Sequence, residues 1–179
     1  SYNMRLLGAE NVEVINTSAE EFLAANPDLR ADLIYIDPDR RNSDGKKMVA
    51  LDNCSPDIGK LMGKMSTISR KLVVKLSPMF DVDEAFRFFG ESTKVEVVSR
   101  DGECKEVLVE TGSHITAPLL TATALGVGSV SFEQGDNTPR STPYASRPGN
   151  CKYLIVPDVA LQKARLAVRY YQGRSIYID

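Results

Sequence analysis

The residues best suited to chemistry follow directly after the apolar run Leu33–Ile36, where the segment Asp37–Arg41 reads DPDRR. Proline cannot donate a hydrogen bond to a sheet and disfavours helix in the residue before it, so the sequence predicts a buried strand that ends at Asp37. In open α/β sheets, ligands bind beyond the carboxyl ends of the strands. Asp37 is therefore the first candidate for a functional residue, and the structural alternative is a turn carboxylate that pairs with Arg40 or Arg41.

The composition excludes several other kinds of site. The chain is 42% hydrophobic and 26% charged, which is ordinary for a globular protein. No apolar run approaches the roughly 18 residues that cross a membrane, and no signal peptide opens the chain, so a cytoplasmic protein is expected. The three cysteines form no CxxC pair, which predicts neither a disulfide framework nor a metal site. His114 is the only histidine and is expected at the surface, so Ser-His and Cys-His nucleophiles are not predicted.

The charges are unevenly distributed, although the net charge is only −2. Residues 1–112 carry 15 Lys/Arg against 20 Asp/Glu, whereas residues 113–179 carry 7 against 4. The mildly basic second part permits contact with a polyanion. Arg165 and Arg169, on a predicted helix, are candidate phosphate contacts, and a solvated helix face is the alternative.

The first elements are predicted from capping and periodicity. Residues 2–7 predict the end of a helix that Gly8 closes, and residues 12–15 predict a strand. Ser18, with a glutamate three residues later, has the pattern of a capping box. The next helix is therefore expected to begin at Ala19.

The elements after the Asp37 strand alternate between helix and strand. The polar residues 42–47 predict an exposed loop. A helix is predicted to start at Ser55-Pro56, because apolar residues then recur at helical spacing (Ile58, Leu61, Met62, Met65 and Ile68). A strand over 71–77 and a helix over 82–89, capped by Asp81, are predicted to follow. The last predicted element is a hairpin of strands over 94–99 and 106–110 around Asp101-Gly102.

An apolar strand that ends in Asp-Pro-x-Arg, followed by strand, helix and hairpin, resembles the distal half of class I S-adenosylmethionine-dependent methyltransferases. The doubled arginine, Arg40-Arg41, is most similar to that of bacterial members with a THUMP-like domain behind the catalytic domain. The resemblance implies an α/β fold in which a Rossmann-like sheet ends in an antiparallel hairpin. Part of a small α+β accessory domain is expected to follow.

The resemblance also implies roles for individual residues. As catalytic residues, Asp37 and the carbonyl of Pro38 are expected to accept hydrogen bonds from an amine of the substrate base. Arg40 is expected to cover the base or bind a phosphate. S-adenosylmethionine is the implied cofactor, with Ser18, Ala19 and Asp37 as its binding residues. Ser18 and Ala19 stand in the turn that holds the adenine, and a plain helix cap is the alternative role of Ser18.

The amino-acid composition of the sequence changes after residue 112. Residues 113–150 are rich in Thr, Ser, Gly and Pro and are expected to be a linker or long loops, with weak strands over 127–132 and 152–156. Residues 151–179, which include one continuous helix predicted to begin after Asp158, resemble the start of the THUMP-like region.

The predicted function is S-adenosylmethionine-dependent methyl transfer, with RNA as the expected substrate. The resemblance covers residues 1–112, and the family's glycine-rich cofactor turn is not among them. The 179-residue chain alone is therefore expected to bind the cofactor weakly and to be inactive, as a fragment of a longer enzyme. The alternative function is a catalytically inactive, Rossmann-derived binding module for RNA or a protein partner.

Overall fold

A computed structural model describes residues 2–39, 51, 54–135 and 155–172 of the chain. Its strands form one six-stranded sheet and comprise β1 (Ile34–Ile36), β2 (Leu72–Leu76), β3 (Thr93–Arg100), β4 (Glu103–Thr111), β5 (Leu119–Ala124) and β6 (Gly128–Glu133). The helices are α1 (Tyr2–Leu6), α2 (Ala19–Ala25), α3 (Ile58–Ile68), α4 (Val82–Phe89), α5 (Val159–Lys163) and α6 (Ala167–Tyr171).

The sheet is mixed, with the strand order β1-β2-β4-β3-β5-β6. β1 is parallel to β2, β4 is antiparallel to both of its neighbours, and β3 is parallel to β5. β1, β2, β3 and β5 therefore all end at one side of the sheet, which we call the carboxyl edge. The expected α/β fold is confirmed, and the predicted hairpin forms as β3 and β4. It does not end the sheet as expected, because β5 and β6 extend the sheet beyond β3.

The core lies along a row of apolar residues that the strand register places side by side. Neighbouring strands contribute one residue each to this row: Ile36, Val74, Val109, Val95 and Leu120. All five are at most 9% exposed and pack in the same cluster as the buried residues of α3 and α4. Because side chains alternate along a strand, this face of the sheet is apolar while the intervening residues of β2 are only half-buried.

Two predicted helices differ in how accurately their starts were placed. α4 begins after Asp81, whose side chain accepts from the N–H groups of Asp83 and Glu84, and it closes at Gly90, as expected. α3 buries the predicted apolar stripe, but its N-cap is Asp57 rather than Ser55. Ser55 instead exchanges two backbone hydrogen bonds with Asp39, so it belongs to the bridge before the helix.

Residues 12–15 do not form the predicted strand. Val12, Val14 and Ile15 are 43%, 51% and 50% exposed, and among the residues that the structure describes no strand pairs with them. The alternating pattern that predicted a strand is present, but a strand also needs a partner for its backbone groups.

The segment after residue 112 contains more regular structure than the long loops expected there. β5, which the sequence did not predict, pairs with β3, and β6 confirms the weak strand near residues 127–132. Ile155 and Val156, at the end of the other weak strand, are not in a strand, and residues 152–154 lie outside the described residues. The boundaries of the linker and of the accessory region stay predictions.

The predicted C-terminal helix is two short helices. α5 starts at Asp158, whose carboxylate accepts from Ala160 N–H and from the hydroxyl of Ser99 at the end of β3. The chain then turns at Arg165, which has a φ of +56°, before α6. A left-handed residue interrupts an α-helix, which is why the continuous helical pattern was misleading. No helix in the described part of the chain is long and apolar enough to cross a membrane.

Candidate functional site

The parallel register of β1 and β2 sets Asp37 beside a lysine. Ile36 is level with Val74, so the next residues along the two strands, Asp37 and Lys75, are also neighbours. The Lys75 ammonium donates to Asp37 Oδ2 at 2.6 Å. Asp37 is exposed and lies at the carboxyl edge, where the sequence predicted it. The sheet thus presents a carboxylate and an ammonium together at the end of its first parallel pair.

The carboxylate controls the ionisation of Lys75. The hydrogen bond to Asp37 raises the pKa of Lys75 above its ordinary value, and the charge of Asp37 adds to this in spite of partial desolvation. Because the folded pKa is raised, the stabilising contact is fully present below the pKa of the unfolded lysine and is lost only as pH rises through the folded value. Lys75 is therefore a cation throughout the neutral range.

The backbone after Asp37 is held in place by its neighbours. Pro38 is buried, and Asp39 exchanges backbone hydrogen bonds of 2.8 and 3.0 Å with Ser55. These contacts anchor the segment on the chain that leads into α3. The exposed carboxylate of Asp37 therefore projects from a backbone segment that the bridge between Asp39 and Ser55 holds in place.

The turn after β2 forms the next part of the carboxyl edge. The Ser77 hydroxyl accepts from Met79 N–H and the Ser77 carbonyl accepts from Phe80 N–H. Phe80 is 1% exposed and fills the core, so it offers no aromatic surface to a ligand. Met79 is 76% exposed instead, which makes its thioether the apolar group that this turn presents to solvent.

Ser18 forms the predicted capping box. Its hydroxyl accepts from Glu21 N–H at 3.1 Å, and the Glu21 carboxylate accepts from Ser18 N–H and from the Thr17 hydroxyl. Ala19 is half-buried and packs against the core. In the described residues, no hydrogen bond or ion pair joins Ser18 or Ala19 to Asp37, so their role toward the cofactor stays a prediction.

The two candidate phosphate contacts of the second part are held within the fold. Arg165 donates to Asp83 Oδ2 at 2.6 Å and contacts Asp81 Oδ2 at 3.4 Å. The Arg169 guanidinium lies 4.3 Å from the centre of the Phe132 ring. Both arginines therefore attach the α5–α6 segment to the rest of the domain, a role that sequence reasoning did not assign to them.

Arg40 and His114 are the remaining residues for which the sequence predicted a location or a role. Arg40, the third predicted catalytic residue, lies outside the described residues, as do Arg41 and the loop 42–47. His114 is 43% exposed and pairs with Glu110 at 2.7 Å, so it is a surface residue with a carboxylate partner. In the ranges that the structure describes, no group of His, Cys, Asp and Glu is arranged to hold a metal ion.

Lys75 is the residue that sequence analysis missed. A signal was present, because Lys75 is the only charge inside the otherwise apolar run Leu72–Leu76. Its meaning depends on the parallel pairing of β1 with β2, which aligns it with Asp37. Neither the pairing nor the register can be read from the two segments separately.

Comparisons with known proteins give one structural relative. No protein-family model and no curated protein matches the chain. A crystal structure named as that of a "putative methyltransferase" from Porphyromonas gingivalis W83 matches with a TM-score of 0.69 and 25% sequence identity. The match covers 85% of this chain and 38% of the other, so the chain spans well under half the length of that protein. The chain thus has an α/β fold similar to that of a protein named as a methyltransferase.

Proposed function

We propose that the protein containing this chain is an S-adenosylmethionine-dependent methyltransferase that acts on RNA. The observation that carries the proposal is the Asp37 carboxylate, which lies at the carboxyl edge between β1 and the Asp39–Ser55 bridge and is paired with Lys75. The match to a protein named as a methyltransferase supports methyl transfer in general. RNA as the substrate rests on the resemblance of the DPDRR segment and on the positive balance of residues 113–179.

The chain's own residues would align the acceptor. S-adenosylmethionine, when bound, supplies a methyl group on a sulfonium that is already activated. Methyl transfer then depends mainly on orienting the nucleophile, and in some cases on accepting a proton. In this reaction Asp37 and the carbonyl of Pro38 would accept hydrogen bonds from an N–H group of a base.

The described residues fit part of the cofactor. Asp37 offers an exposed carboxylate at the carboxyl edge, and Ser18 lies in the turn that the resemblance assigns to the adenine. The Ser18 hydroxyl accepts the N–H of Glu21 but retains its proton for donation to a ligand. The methionyl part of the cofactor is proposed to bind at a glycine-rich turn in another part of the longer protein.

Cofactor binding is the first test. S-adenosylhomocysteine is titrated calorimetrically into the full-length protein that contains this chain and, in parallel, into the 179-residue chain. We expect binding by the full-length protein and weak or no binding by the chain alone. Micromolar binding by the isolated chain would contradict the assignment of the cofactor site, and binding by neither protein would favour the inactive binding module.

Methyl transfer is the second test, with Asp37→Asn as the variant. The full-length protein is incubated with S-adenosylmethionine labelled in its methyl group and with ribosomal and transfer RNA, and label that ribonuclease releases is counted. Replacing the carboxylate is expected to lower the rate by about 100-fold, the lower range for loss of a positioned proton acceptor. The matched control is Asp28→Asn, an exposed aspartate in the turn before β1, which should retain the full rate.

Two results would contradict the proposed function. Full activity of Asp37→Asn would remove Asp37 from the site. RNA binding without methyl transfer by the unaltered protein would identify the alternative, a module that binds RNA and performs no chemistry.

A further inference from the structure

The contact between Lys75 and Asp37 is one of several ion pairs that join distant parts of the described chain. Lys105 also contacts a carboxylate, Glu103, at 2.6 Å, but these two residues are neighbours on one strand. Lys75 and Asp37 are 38 residues apart and meet only because β1 and β2 pair in parallel. The parallel register thus sets the only charged residue of β2 beside the carboxylate of the candidate site.

The contact engages only one carboxylate oxygen. Lys75 donates to Oδ2 of Asp37, and no residue within the described ranges donates to Oδ1. A carboxylate has two oxygens with about four acceptor positions. Fixing Oδ2 limits the rotation of the group, and Oδ1 then remains available to a ligand at the carboxyl edge.

We infer that Lys75 is a positioning residue, which holds Asp37 through Oδ2 so that Oδ1 faces the methyl acceptor. The inference rests on the proposed function, because it assigns Lys75 a role in the same reaction. Lys75 is one-third exposed and Asp37 half exposed, and ion pairs this exposed contribute little to stability. Stability alone therefore does not account for a lysine inside this strand, whereas orientation of a catalytic carboxylate does.

The experiment compares three variants of the full-length protein: Lys75→Met, Lys75→Arg and the control Lys105→Met. Lys75→Met should lower kcat by about tenfold while the KM for S-adenosylmethionine changes less than about twofold, because alignment is lost and cofactor binding is not. Lys75→Arg keeps a donor and a positive charge and should restore most of kcat. Lys105→Met loses an ion pair of the same length and should behave like the unaltered protein.

A second measurement tests the contact itself, independently of activity. The lysine side chains are labelled with carbon-13 at Cε, and the signal missing from the Lys75→Met spectrum assigns Lys75. Its pKa should fall toward the ordinary lysine value in Asp37→Asn, because the hydrogen bond to Asp37 is what raises it. An unchanged pKa would show that the pair does not form in solution and would overturn the inference.

The possible outcomes separate the inference from the proposed function. Unchanged kcat in Lys75→Met, with methyl transfer by the unaltered protein, would overturn the positioning role and leave the function intact. If Lys75→Met and Lys75→Arg lose kcat equally and both have a lowered melting temperature, Lys75 has a structural role only. Absence of methyl transfer by the unaltered protein would overturn the function, and the role of Lys75 with it.

Discussion

Asp37 and Asp81 follow two neighbouring parallel strands, β1 and β2, and each contacts a cation from a distant part of the chain. The two carboxylates are nevertheless used differently. Oδ1 of Asp81 accepts from two backbone N–H groups of α4, and its Oδ2 contacts Arg165. Among the described residues, Asp37 caps no helix and only its Oδ2 has a partner.

This difference separates a structural carboxylate from a functional candidate at the same edge of the sheet. Both oxygens of Asp81 are occupied by contacts that start α4 and attach the α5–α6 segment to it. Asp37 keeps an acceptor position, and the backbone that follows it is held by the hydrogen bonds between Asp39 and Ser55. Exposure alone does not distinguish the two, since Asp37 is 51% and Asp81 44% exposed.

The largest difference expected between Asp81 and Asp37 is in their contribution to the free energy of unfolding. Asp81→Ala removes an N-cap and one partner of Arg165, and it should lower the free energy of unfolding by about 1.5 kcal/mol. Asp37→Ala removes only an exposed ion pair and should change this free energy by about 0.5 kcal/mol or less. Urea unfolding followed by circular dichroism measures both. An equal loss of unfolding free energy in the two variants would mean that Asp37 contributes as much to stability as Asp81, which would contradict the distinction between them.

A smaller effect is expected at Arg165, whose backbone is left-handed. Arg165→Ala loses the contacts with Asp81 and Asp83 and keeps the unfavourable backbone conformation, whereas Arg165→Gly loses the same contacts and relieves it. The glycine variant should therefore be more stable than the alanine variant by about 1 kcal/mol. Urea unfolding of the two proteins side by side gives this difference directly. Greater stability of the alanine variant would show that residue 165 is not left-handed in solution.

The smallest expected effect is the loss of stability at low pH, which involves the carboxylate of Asp81. Desolvation is the largest single influence on Asp81 and raises its pKa, but hydrogen bonds from the N–H groups of Glu84 and Asp83 and the charge of Arg165 together hold the pKa below its ordinary value of 3.8. A lowered folded pKa means that the carboxylate stabilises the fold above the unfolded value, and that this contribution is lost as pH falls through the folded pKa.

Asp81→Asn tests the charge while keeping a side chain that caps helices well. On going from pH 5 to pH 3, the unaltered protein should lose more unfolding free energy than this variant does. The difference should be well under about 1 kcal/mol, because the group is substantially exposed and solvent screens it. An equal loss in both proteins would show that the carboxylate charge of Asp81 does not contribute.

The elements that sequence analysis predicted correctly are those specified by local signals. The capping box at Ser18, the helix from Asp81 to Gly90 and the hairpin around Asp101-Gly102 each depend on residues within a few positions of one another. The apolar stripe of α3 was also recognised, because its spacing is a property of the helix alone. The errors at residues 12–15, in β5 and at Arg165 concern segments whose structure depends on distant partners. The start of α3 was also misplaced, because Ser55 pairs with Asp39 instead of capping the helix.

By itself, then, the sequence determined that a strand ends at Asp37, because proline stops the strand wherever it lies in the fold. The prediction that this strand is buried on both faces was wrong, since Leu33 and Tyr35 are 48% and 55% exposed. The sequence also determined that Asp81 and Ser18 begin helices, since capping is satisfied within one turn. Only the tertiary structure decided which cation meets Asp37. That choice depends on the pairing and register of β1 with β2, and register arises from contacts between segments 38 residues apart rather than from either segment alone.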